Sequence, residues 1–529
     1  MRDFANLLDG LIYTRSRGAK LKLIADYLRA TPDPDRGWAM AALTGGLDLA
    51  AVKPAVIRGM IEARVDPVLY RMSRDHVGDS AETVALLWPG DARASDAVPP
   101  SLGAAVAALA TTTRAAAPGV LAAMLDAMTA QERFALLKMA TGALRVGVSA
   151  RLAKTAFAQA FDVDVDAVEE YWHGQSPPYQ ALFEWAEGGA PPPAAAAQAL
   201  FRPFMLAHPL DDSQLDLDEY AAEWKWDGIR VQLARAGGET RLYSRGGDDI
   251  TRSFPEVAAA FTVDGVADGE LMVRGTAQGV DLGVASAASF NALQQRLGRK
   301  TVSAKLLAEA PAFVRLYDLL FDGSEDVRSL SWTDRRRRLE AFATSLPNQQ
   351  FDISALIDAE SFEALATLRA RARDAAIEGV MLKRRDAPYV AGRRVGLWYK
   401  WKRDPFTADC VLMYAQRGSG RRSSYYSDFS FGCWGADGAL LPVGKAYSGI
   451  SGAEMKALDK FVRDSTVARF GPVREVAKTL VLEIAFDSIH ASTRHKSGVA
   501  MRFPRIARIR NDKPAAEADT VDALKRLIG

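Results

Sequence analysis

Cysteine is scarce in this 529-residue chain, which contains only Cys410 and Cys433. Two thiols cannot complete a four-cysteine zinc site, and they provide no disulfide framework. Long apolar runs are also missing, because no stretch of about 18 uncharged apolar residues occurs. The opening residues, MRDFANLLDG, lack the apolar core of a signal peptide. These absences predict a cytoplasmic protein with reduced thiols and no membrane segment.

An excess of charge of one sign is absent as well. The 67 basic and 65 acidic residues leave a formal net charge of +2, which neither indicates nor excludes a nucleic-acid partner, because charges can still cluster locally. The phosphate-binding pattern GxxxxGK[S/T] does not occur, and the segment VGKAYSG lacks its glycine spacing. This disfavours the P-loop class of nucleotide-binding enzymes.

What the chain does contain is typical of a globular protein, with 49% apolar and 25% charged residues. Prolines and glycines in EGGAPPPAAAAQ, residues 187–198, predict a linker. Before it, apolar residues recur every three or four positions, as in ARLAKTAFAQAF, which predicts helices. After it, short alternating runs such as FVRLYDLLFDG predict strands. We therefore predict a multi-domain fold with an all-α domain over residues 1–195, an α+β domain over 201–403 and a β domain over 404–529.

Four consecutive arginines, residues 335–338, stand at the start of a predicted helix. Consecutive helical residues point to different sides, so these arginines do not form one coherent face. We expect a solvated helix start that is capped by Thr333 and Asp334.

The stretch EWKWDGIR, residues 223–230, combines a lysine with two tryptophans. If it is a strand, Glu223, Lys225 and Asp227 face one side, while the tryptophans face the core. The Asp-Gly pair then ends the strand in a turn. On these residues alone, a lysine on the wet face of a strand is the simpler interpretation.

Other short patterns place charged residues at similar spacing. The segment ADGEL puts Asp268 and Glu270 on one strand face, and WYKWK does the same for Lys400 and Lys402. Each pattern alone is weak, since such pairs are common on protein surfaces. In EGVMLK, Glu378 and Lys383 are five residues apart, so strict alternation puts them on opposite faces. Either Glu378 lies at the strand entrance beside Gly379, or the strand is irregular there.

Taken together and in this order, the patterns resemble the ATP-dependent DNA ligases of the covalent nucleotidyltransferase superfamily. The family's lysine motif, K-x-D-G-x-R, stands here at residues 225–230. The resemblance covers most of residues 201–513, through the lysine motif, YSRGGDDIT, ADGEL, LYDLLFDG, EGVMLK, WYKWK and RFPRIARIRNDK.

The resemblance implies that the Lys225 amine attacks the α-phosphorus of ATP, forms a lysine–AMP phosphoramide and expels pyrophosphate. Only roughly one ordinary lysine in a thousand is neutral near pH 7.4, a handicap of about 4 kcal/mol. Partial burial and nearby cations favour the neutral amine. Lys383, Lys400 and Lys402, with a metal ion, would supply those cations around the phosphates.

The resemblance also implies roles for other side chains. Glu223 would accept a hydrogen bond from the adenine amino group, and Tyr317, at a position where the family more often has phenylalanine, would stack on the base. Glu270 would contact the ribose or a metal ion, and Glu378 would help to hold Mg²⁺, with Mn²⁺ as an alternative, because these ions prefer oxygen ligands. As further parts of the ATP site, Arg230, Arg245 and Arg394 would contact phosphates or the nicked strand. Arg510 and Lys513 would orient the leaving pyrophosphate.

The same resemblance makes residues 1–195 a helical DNA-binding domain, 201–403 the adenylation domain and 404–529 an OB-fold β-barrel. In TGALRVGVS, residues 141–149, Arg145 and Gly147 would contact DNA; without the resemblance this segment reads as a helix–helix turn. The segment AQRGSGRRSSYYSDF, residues 415–429, would be a loop that contacts the nucleic-acid backbone, or simply an exposed hairpin. The expected partner is nicked duplex DNA, encircled by a monomer.

Two rivals share the lysine motif, namely mRNA capping guanylyltransferases and RNA ligases, but neither normally carries a long helical domain in front. An NAD-dependent ligase would need a cysteine-rich zinc module, which two cysteines exclude. A DNA-binding scaffold without activity would be expected to lose Lys225, Glu378 or the Lys400 and Lys402 pair, and all of them are present. The sequence therefore favours a DNA ligase and gives no protein partner.

Overall fold

The computed structural model describes most of the chain, namely residues 1–90, 98–142, 144–193, 199–210, 215–275, 293, 296–297, 302–372, 377–418, 425–447, 449–493 and 495–528. Parts of three sequence predictions lie outside these residues: residues 194–198 of the linker, Ala143 of the segment 141–149, and residues 419–424 of the segment 415–429. By its internal contacts the chain divides into two compact units. The first comprises Met1–Val52, Val98–Arg114 and Lys138–Arg403, and the second comprises Lys53–Ala97, Ala115–Leu137 and Asp404–Gly529.

The described part of residues 1–186 is helical, as the apolar periodicity predicts. Serine and aspartate side chains cap several of these helices; Ser149, for example, accepts the Leu152 N–H at 3.2 Å. None of the helices in the described chain is long and apolar enough to cross a bilayer. The helices are Arg2–Tyr13, Arg17–Ala30, Asp35–Thr44, Pro54–Glu62, Pro67–Val77, Ser80–Leu87, Leu102–Thr111, Ala117–Asp126, Ala130–Ala140, Ala150–Phe161, Val165–Trp172 and Gln180–Ala186.

The rest of the first unit is built from strands with a few helices. The strands are β1 (Met205–Leu206), β2 (His208–Pro209), β3 (Tyr220–Trp226), β4 (Ile229–Ala236), β5 (Glu239–Ser244), β6 (Gly265–Val273), β7 (Ala312–Asp322), β8 (Glu325–Asp326), β9 (Phe351–Ile353), β10 (Leu356–Ile357), β11 (Ile377–Arg384), β12 (Gly392–Arg393) and β13 (Trp398–Lys402). The helices are Pro255–Ala260, Ala304–Glu309, Trp332–Ala343 and Phe362–Arg371.

These strands form two main sheets that share the lysine motif. One sheet has the order β10-β3-β11-β13-β2, and the other has the order β5-β4-β6-β7-β8 with β9 beside β7. Strands β3 and β4 are consecutive, but they belong to different sheets. The chain changes sheet at Asp227 and Gly228, so the predicted turn also carries the motif from one sheet to the other.

The two tryptophans of β3 lie in the core, as predicted. Trp224 and Trp226 are each only 5% exposed, and they pack with residues such as Met272 and Phe313. The indole N–H of Trp226 donates to Ser354 Oγ at 3.1 Å, which satisfies the polar edge of a buried ring. This packing leaves the other face of β3 for Glu223 and Lys225.

The prediction that the arginines at 335–338 are solvated is wrong for the first two of them. The helix Trp332–Ala343 is capped by Ser331, which accepts the Asp334 N–H at 3.1 Å. Arg335 is completely buried and donates to both carboxylate oxygens of Asp318, at 2.8 and 3.1 Å. Arg336 is also largely buried, whereas Arg337 and Arg338 pair with carboxylates on the surface. Local sequence could not reveal this division, because Asp318 lies on β7, outside the helix.

The second unit includes a β-rich segment with β14 (Phe406–Arg417), β15 (Tyr426–Trp434), β16 (Leu440–Ala446), β17 (Thr466–Phe470), β18 (Val473–Val476), β19 (Val481–Phe486), β20 (Ser488–Ala491), β21 (Val499–Arg502) and β22 (Arg505–Arg510), and with helices Gly452–Ser465 and Val521–Lys525. The sheet has the order β16-β15-β14-β18-β17, and β19 joins β14 to β22. Among the described residues, no strand pairing closes this sheet into a barrel. Cys410 and Cys433 face each other in its core as free thiols, with their Sγ atoms 3.4 Å apart.

Candidate active site

Lys225 lies near the end of β3, and its ammonium meets a carboxylate from the neighbouring strand. Lys225 Nζ donates to Glu378 Oε2 at 2.5 Å, and about a fifth of each side chain is exposed. The pair is therefore open enough to receive a ligand, yet shielded enough for its charges to interact more strongly than on an open surface.

A β-bulge explains how Glu378 reaches Lys225. In the pairing of β11 with β3 the register shifts between Ile377 and Gly379, so the strict alternation of side chains is broken there. Of the two arrangements that the sequence left open, the structure has an irregular strand, with Glu378 one residue from the strand start. Gly379 adopts φ +147°, and a Cβ on it would lie 2.2 Å from the Trp401 carbonyl oxygen. Only glycine fits this bulge.

A second carboxylate comes from the other sheet. Glu270 Oε1 accepts the Gly228 N–H at 3.2 Å, so the turn after Lys225 fixes the position of this carboxylate. Gly228 is needed for the close approach, because a Cβ there would lie 2.5 Å from the Leu271 carbonyl oxygen. Burial raises the pKa of Glu270 to about 7; the negative charge of Glu378 adds to this effect and Lys225 opposes it. The site thus holds two carboxylates that repel each other.

Several cations lie close to Lys225. Lys402 Nζ lies 3.5 Å from the same Glu378 oxygen that binds Lys225. The pKa of Lys400 is lowered by burial and then by the positive charges of Arg393, Lys402, Lys225 and Arg245. Such a group of mutually repelling cations can bind a polyphosphate.

Two neighbouring arginines, Arg393 and Arg394, have different surroundings, and the resemblance named only Arg394, for phosphates or the nicked strand. The structure gives Arg394 another partner, since its Nη2 lies 3.3 Å from Asp166 Oδ2 of the helix Val165–Trp172. Arg393 is instead the cation with the largest electrostatic effect on Lys400. The double arginine in AGRRVG was the available sequence signal for Arg393.

Glu223 and Lys383 form a separate, buried group. Lys383 Nζ lies 3.1 Å from both carboxylate oxygens of Glu223 and donates to the Tyr317 carbonyl oxygen at 3.1 Å. It also lies 4.6 Å from the centre of the Tyr317 ring. Both charged side chains are only 1% exposed, and burial lowers the pKa of Lys383. The structure therefore places Lys383 with Glu223 and Tyr317 rather than with the cations around Lys400.

Arg230 is also committed to neighbours within the protein. Its Nη2 donates to Asp268 Oδ2 at 3.0 Å, and its Nη1 donates to the Met205 carbonyl oxygen at 2.7 Å. The guanidinium lies 4.0 Å from the centre of the Phe204 ring. Asp268 is completely buried, so in this structure Arg230 neutralises a carboxylate that flanks Glu270.

The predicted DNA contacts in the helical part lie on a loop with unusual backbone geometry. Arg145 is exposed and has φ +47°, and Gly147 has φ +68°. Lys20, which is buried, donates to the carbonyl oxygens of Val146 at 2.7 Å and Gly147 at 2.9 Å. Lys20 therefore fixes the loop from a distant helix, a role that no local sequence signal indicated.

Arg510 and Lys513 lie in the second unit, where both bind Asp409. Arg510 Nη1 donates to Asp409 Oδ2 at 2.9 Å, and Lys513 Nζ donates to the same oxygen at 2.8 Å. Arg510 Nε also donates to Asp512 at 2.9 Å. These carboxylates hold the two cations together on one surface.

Comparison with known proteins agrees with this geometry. A family model described as the ATP dependent DNA ligase domain matches residues 204–402, and one described as the ATP dependent DNA ligase C terminal region matches residues 422–513. A probable DNA ligase of Anaeromyxobacter sp. is 32% identical over all of this chain and 98% of its own length. A probable DNA ligase of Koribacter versatilis is 33% identical over 78% of this chain and 75% of its own length.

The fold extends to a solved structure named Pmar-Lig_Pre, which is 17% identical, covers 96% of this chain and 99% of its own length, and has a TM-score of 0.60. Together the two family models match more than half of the chain, in the order in which the ligase motifs occur. The chain belongs to the family of ATP-dependent DNA ligases.

Proposed function

We propose that this ligase carries AMP on Lys225. The observation that supports the assignment is the contact of Lys225 Nζ with Glu378 Oε2 at 2.5 Å, at the edge of the cation group around Lys400. The lysine nitrogen forms a bond to the α-phosphorus of ATP, the bond to the β-phosphate oxygen breaks, and pyrophosphate leaves. AMP then passes to the 5′-phosphate of a nick, and the 3′-hydroxyl displaces it to seal the strand.

Glu378 has two tasks in this scheme. Its carboxylate holds the amine in place, and it is the protein acceptor nearest to the proton that the amine must lose before attack. Lys402 Nζ lies 3.5 Å from the same oxygen and offsets part of its negative charge. The two lysines therefore have different roles although both contact Glu378.

The cations around Lys400 are proposed to bind the phosphates of ATP. Arg245, Arg393 and Lys402 surround Lys400 closely enough to lower its pKa, and a bound polyphosphate would relieve their repulsion. Arg394, Arg510 and Lys513 are exposed to a varying degree and are held by carboxylates, which a phosphate can replace. We assign Arg510 and Lys513 to the leaving pyrophosphate.

The base is proposed to lie at the Glu223 end of the site. The Tyr317 ring would stack on adenine, and Glu223 would accept a hydrogen bond from the adenine amino group. Lys383 and Arg230 support this end of the site, because Lys383 neutralises Glu223 and Arg230 lies 5.8 Å from the centre of the Tyr317 ring.

A magnesium ion fits the pair formed by Glu270 and Glu378. No group of three or more metal-ligating side chains occurs in the part of the chain that the structure describes. Magnesium commonly uses one or two carboxylates and completes its shell with water and substrate phosphates. A cation would also relieve the repulsion that helps to raise the pKa of Glu270 to about 7. When bound, the ion would neutralise charge on the ATP phosphates.

For the whole chain we propose three domains: residues 1–195 bind DNA, 201–403 carry out adenylylation and 404–529 form an OB-fold. An OB-fold is a partly open barrel that binds oligonucleotides, and the open sheet around β14 is compatible with it. Arg145 and Gly147 are proposed to contact nicked DNA through an exposed loop, and a monomer would encircle the duplex. A sealing assay on nicked DNA, nicked RNA and hybrid duplexes, with ATP, GTP or NAD supplied alone, tests this proposal. Sealing of RNA alone, or with NAD alone, would contradict it.

Replacing Glu378 with glutamine is expected to slow formation of the enzyme–AMP adduct by about 10- to 100-fold. The amide keeps the size of the side chain but can neither hold the ammonium by charge nor accept its proton. Single-turnover kinetics with α-labelled ATP measure the effect. Glu309→Gln is the matched control, because Glu309 is 60% exposed and pairs with a surface lysine at 3.7 Å. Equal rates for the two variants would contradict the role of Glu378.

Removal of divalent cations is expected to stop adduct formation, and added Mg²⁺ or Mn²⁺ is expected to restore it. Glu270→Gln should raise the Mg²⁺ concentration at half-maximal rate by about tenfold, because one of two protein ligands is weakened. A titration of the labelling rate against Mg²⁺ measures this shift. Full labelling in excess chelator would contradict the assignment of Glu270 and Glu378 as the metal site. An unchanged half-maximal Mg²⁺ concentration for Glu270→Gln would contradict it as well.

A further inference from the structure

The second arginine of the run 335–338 reaches the base end of the site. Arg336 Nη1 donates to the Ser354 carbonyl oxygen at 2.7 Å and lies 3.7 Å from Glu223 Oε1. Its Nε donates to Glu340 one turn along the helix, at 2.7 Å. Only 10% of the side chain is exposed. The helix Trp332–Ala343 therefore places a nearly buried guanidinium beside the carboxylate of Glu223, the residue that we propose contacts adenine.

Two cations consequently face one buried carboxylate. Lys383 contacts both oxygens of Glu223 and donates a further hydrogen bond to the Tyr317 carbonyl oxygen. A carboxylate has about four acceptor positions, so these contacts leave acceptor capacity for a ligand. The guanidinium of Arg336, 3.7 Å from Glu223 Oε1, adds a second attraction that restrains the direction of this carboxylate.

The chemistry and the direction of the side chain at position 223 decide which base fits. An ionised carboxylate only accepts hydrogen bonds, so it suits the amino group at position 6 of adenine. A protonated carboxyl group, or an amide, could also donate to the oxygen at position 6 of guanine or hypoxanthine. A site that must reject the oxygen-bearing bases therefore gains from a residue that keeps this carboxylate directed at the amino group of the base.

We propose that Arg336 is a positioning residue for base selection, which holds the Glu223 carboxylate in the orientation that accepts from the amino group of adenine. The inference rests on the proposed contact between Glu223 and adenine. Arg336 itself touches no substrate in this scheme and acts through Glu223. The Ser354 carbonyl fixes the guanidinium, because Ser354 is completely buried and its Oγ is held by the indole of Trp226.

Arg336→Gln tests the inference, with Arg337→Gln as the matched control. Arg337 is the next residue on the same helix, is 73% exposed and pairs with Asp334 at the surface. Adduct formation would be measured with ATP, with inosine triphosphate, which carries oxygen at position 6, and with purine riboside triphosphate, which carries neither group there. For Arg336→Gln we expect about a tenfold rise in KM for ATP with little change in kcat. We also expect about a tenfold lower preference for ATP over inosine triphosphate.

The purine riboside analogue separates base selection from a general structural effect. Because it lacks the amino group, its KM is expected to be the same for Arg336→Gln and the unaltered enzyme. An equal loss with ATP and with the analogue would overturn the inference, since it would show that Arg336 only supports the fold. Arg337→Gln is expected to leave every value unchanged, and a shift in ATP preference equal to that of Arg336→Gln would overturn the inference as well.

Further variants guard against misfolding and against failure of the underlying assignment. Sealing of a nick that already carries AMP needs no ATP, so normal sealing by Arg336→Gln shows that the variant is folded. If Arg336→Gln does not fold, Arg336→Lys is the second variant, because it keeps the positive charge without the planar guanidinium. Arg336→Lys is expected to give an intermediate preference for ATP over inosine triphosphate. If Glu223→Gln leaves the preference for ATP unchanged, the proposed adenine contact fails and the inference fails with it. If Glu223→Gln lowers the preference but neither Arg336 variant does, only the role of Arg336 is overturned.

Discussion

Lys225→Ala is expected to abolish the transfer of label from α-labelled ATP to the protein. The side chain supplies the nitrogen that bonds to phosphorus, and no positioning or charge effect replaces a missing nucleophile. Lys402 contacts the same carboxylate oxygen, but at 3.5 Å rather than 2.5 Å, and it is more than twice as exposed as Lys225. Denaturing gel electrophoresis after incubation with ATP and Mg²⁺ measures the covalent label.

Two controls make this result specific. Lys305→Ala removes a lysine that is 82% exposed, so normal labelling is expected. Lys225→Ala is also expected to seal a nick that already carries AMP, because that step needs no lysine adduct, and this sealing shows that the variant is folded. Labelling of Lys225→Ala at the level of Lys305→Ala would refute the assignment of the nucleophile.

Arg335→Met is expected to lower the free energy of unfolding of the first unit by about 3–5 kcal/mol. Asp318 is only 1% exposed and would keep its charge without the two guanidinium hydrogen bonds. The carbonyl oxygens of Leu330 and Ala387 would lose their donors as well. The midpoint and slope of urea-induced unfolding, followed by tryptophan fluorescence, measure the change.

The exposed neighbour again provides the comparison. Arg337→Met is expected to change the free energy of unfolding by no more than about 0.5 kcal/mol. The double variant Arg335→Met with Asp318→Asn is expected to be more stable than Arg335→Met alone, because the buried charge is removed with its partner. A destabilisation that is the same for Arg335→Met and Arg337→Met would show that the buried ion pair contributes nothing beyond a surface pair.

The sequence predicted those parts of the site that depend on local alternation. The burial of Trp224 and Trp226 follows from period-two geometry, and so does the turn at Asp227 and Gly228. The roles of Lys225, Lys400 and Lys402 came from the order of the family motifs, and they stay predictions until the substitutions are tested.

What the sequence missed or left open depends on contacts between distant segments. The bulge before Gly379, which brings Glu378 to Lys225, arises in the pairing of β11 with β3. Lys383 and Lys400 both follow motif spacing, yet packing places Lys383 with Glu223 and Lys400 among other cations. Likewise, Arg335 and Arg337 are identical residues in one run, and the position of Asp318 on β7 alone makes one of them buried.

Gly379 also shapes how this active site can change under mutation. Its φ of +147° and the Trp401 carbonyl oxygen 2.2 Å from a Cβ exclude every other residue by geometry, whatever its charge or polarity. A saturation library of β11 is therefore expected to show no tolerated substitution at this position, even in a selection that requires only a folded protein. The position of the Glu378 carboxylate is therefore preserved indirectly. Variants that would move it by changing the bulge do not fold, so they are lost before selection for ligation can act on them.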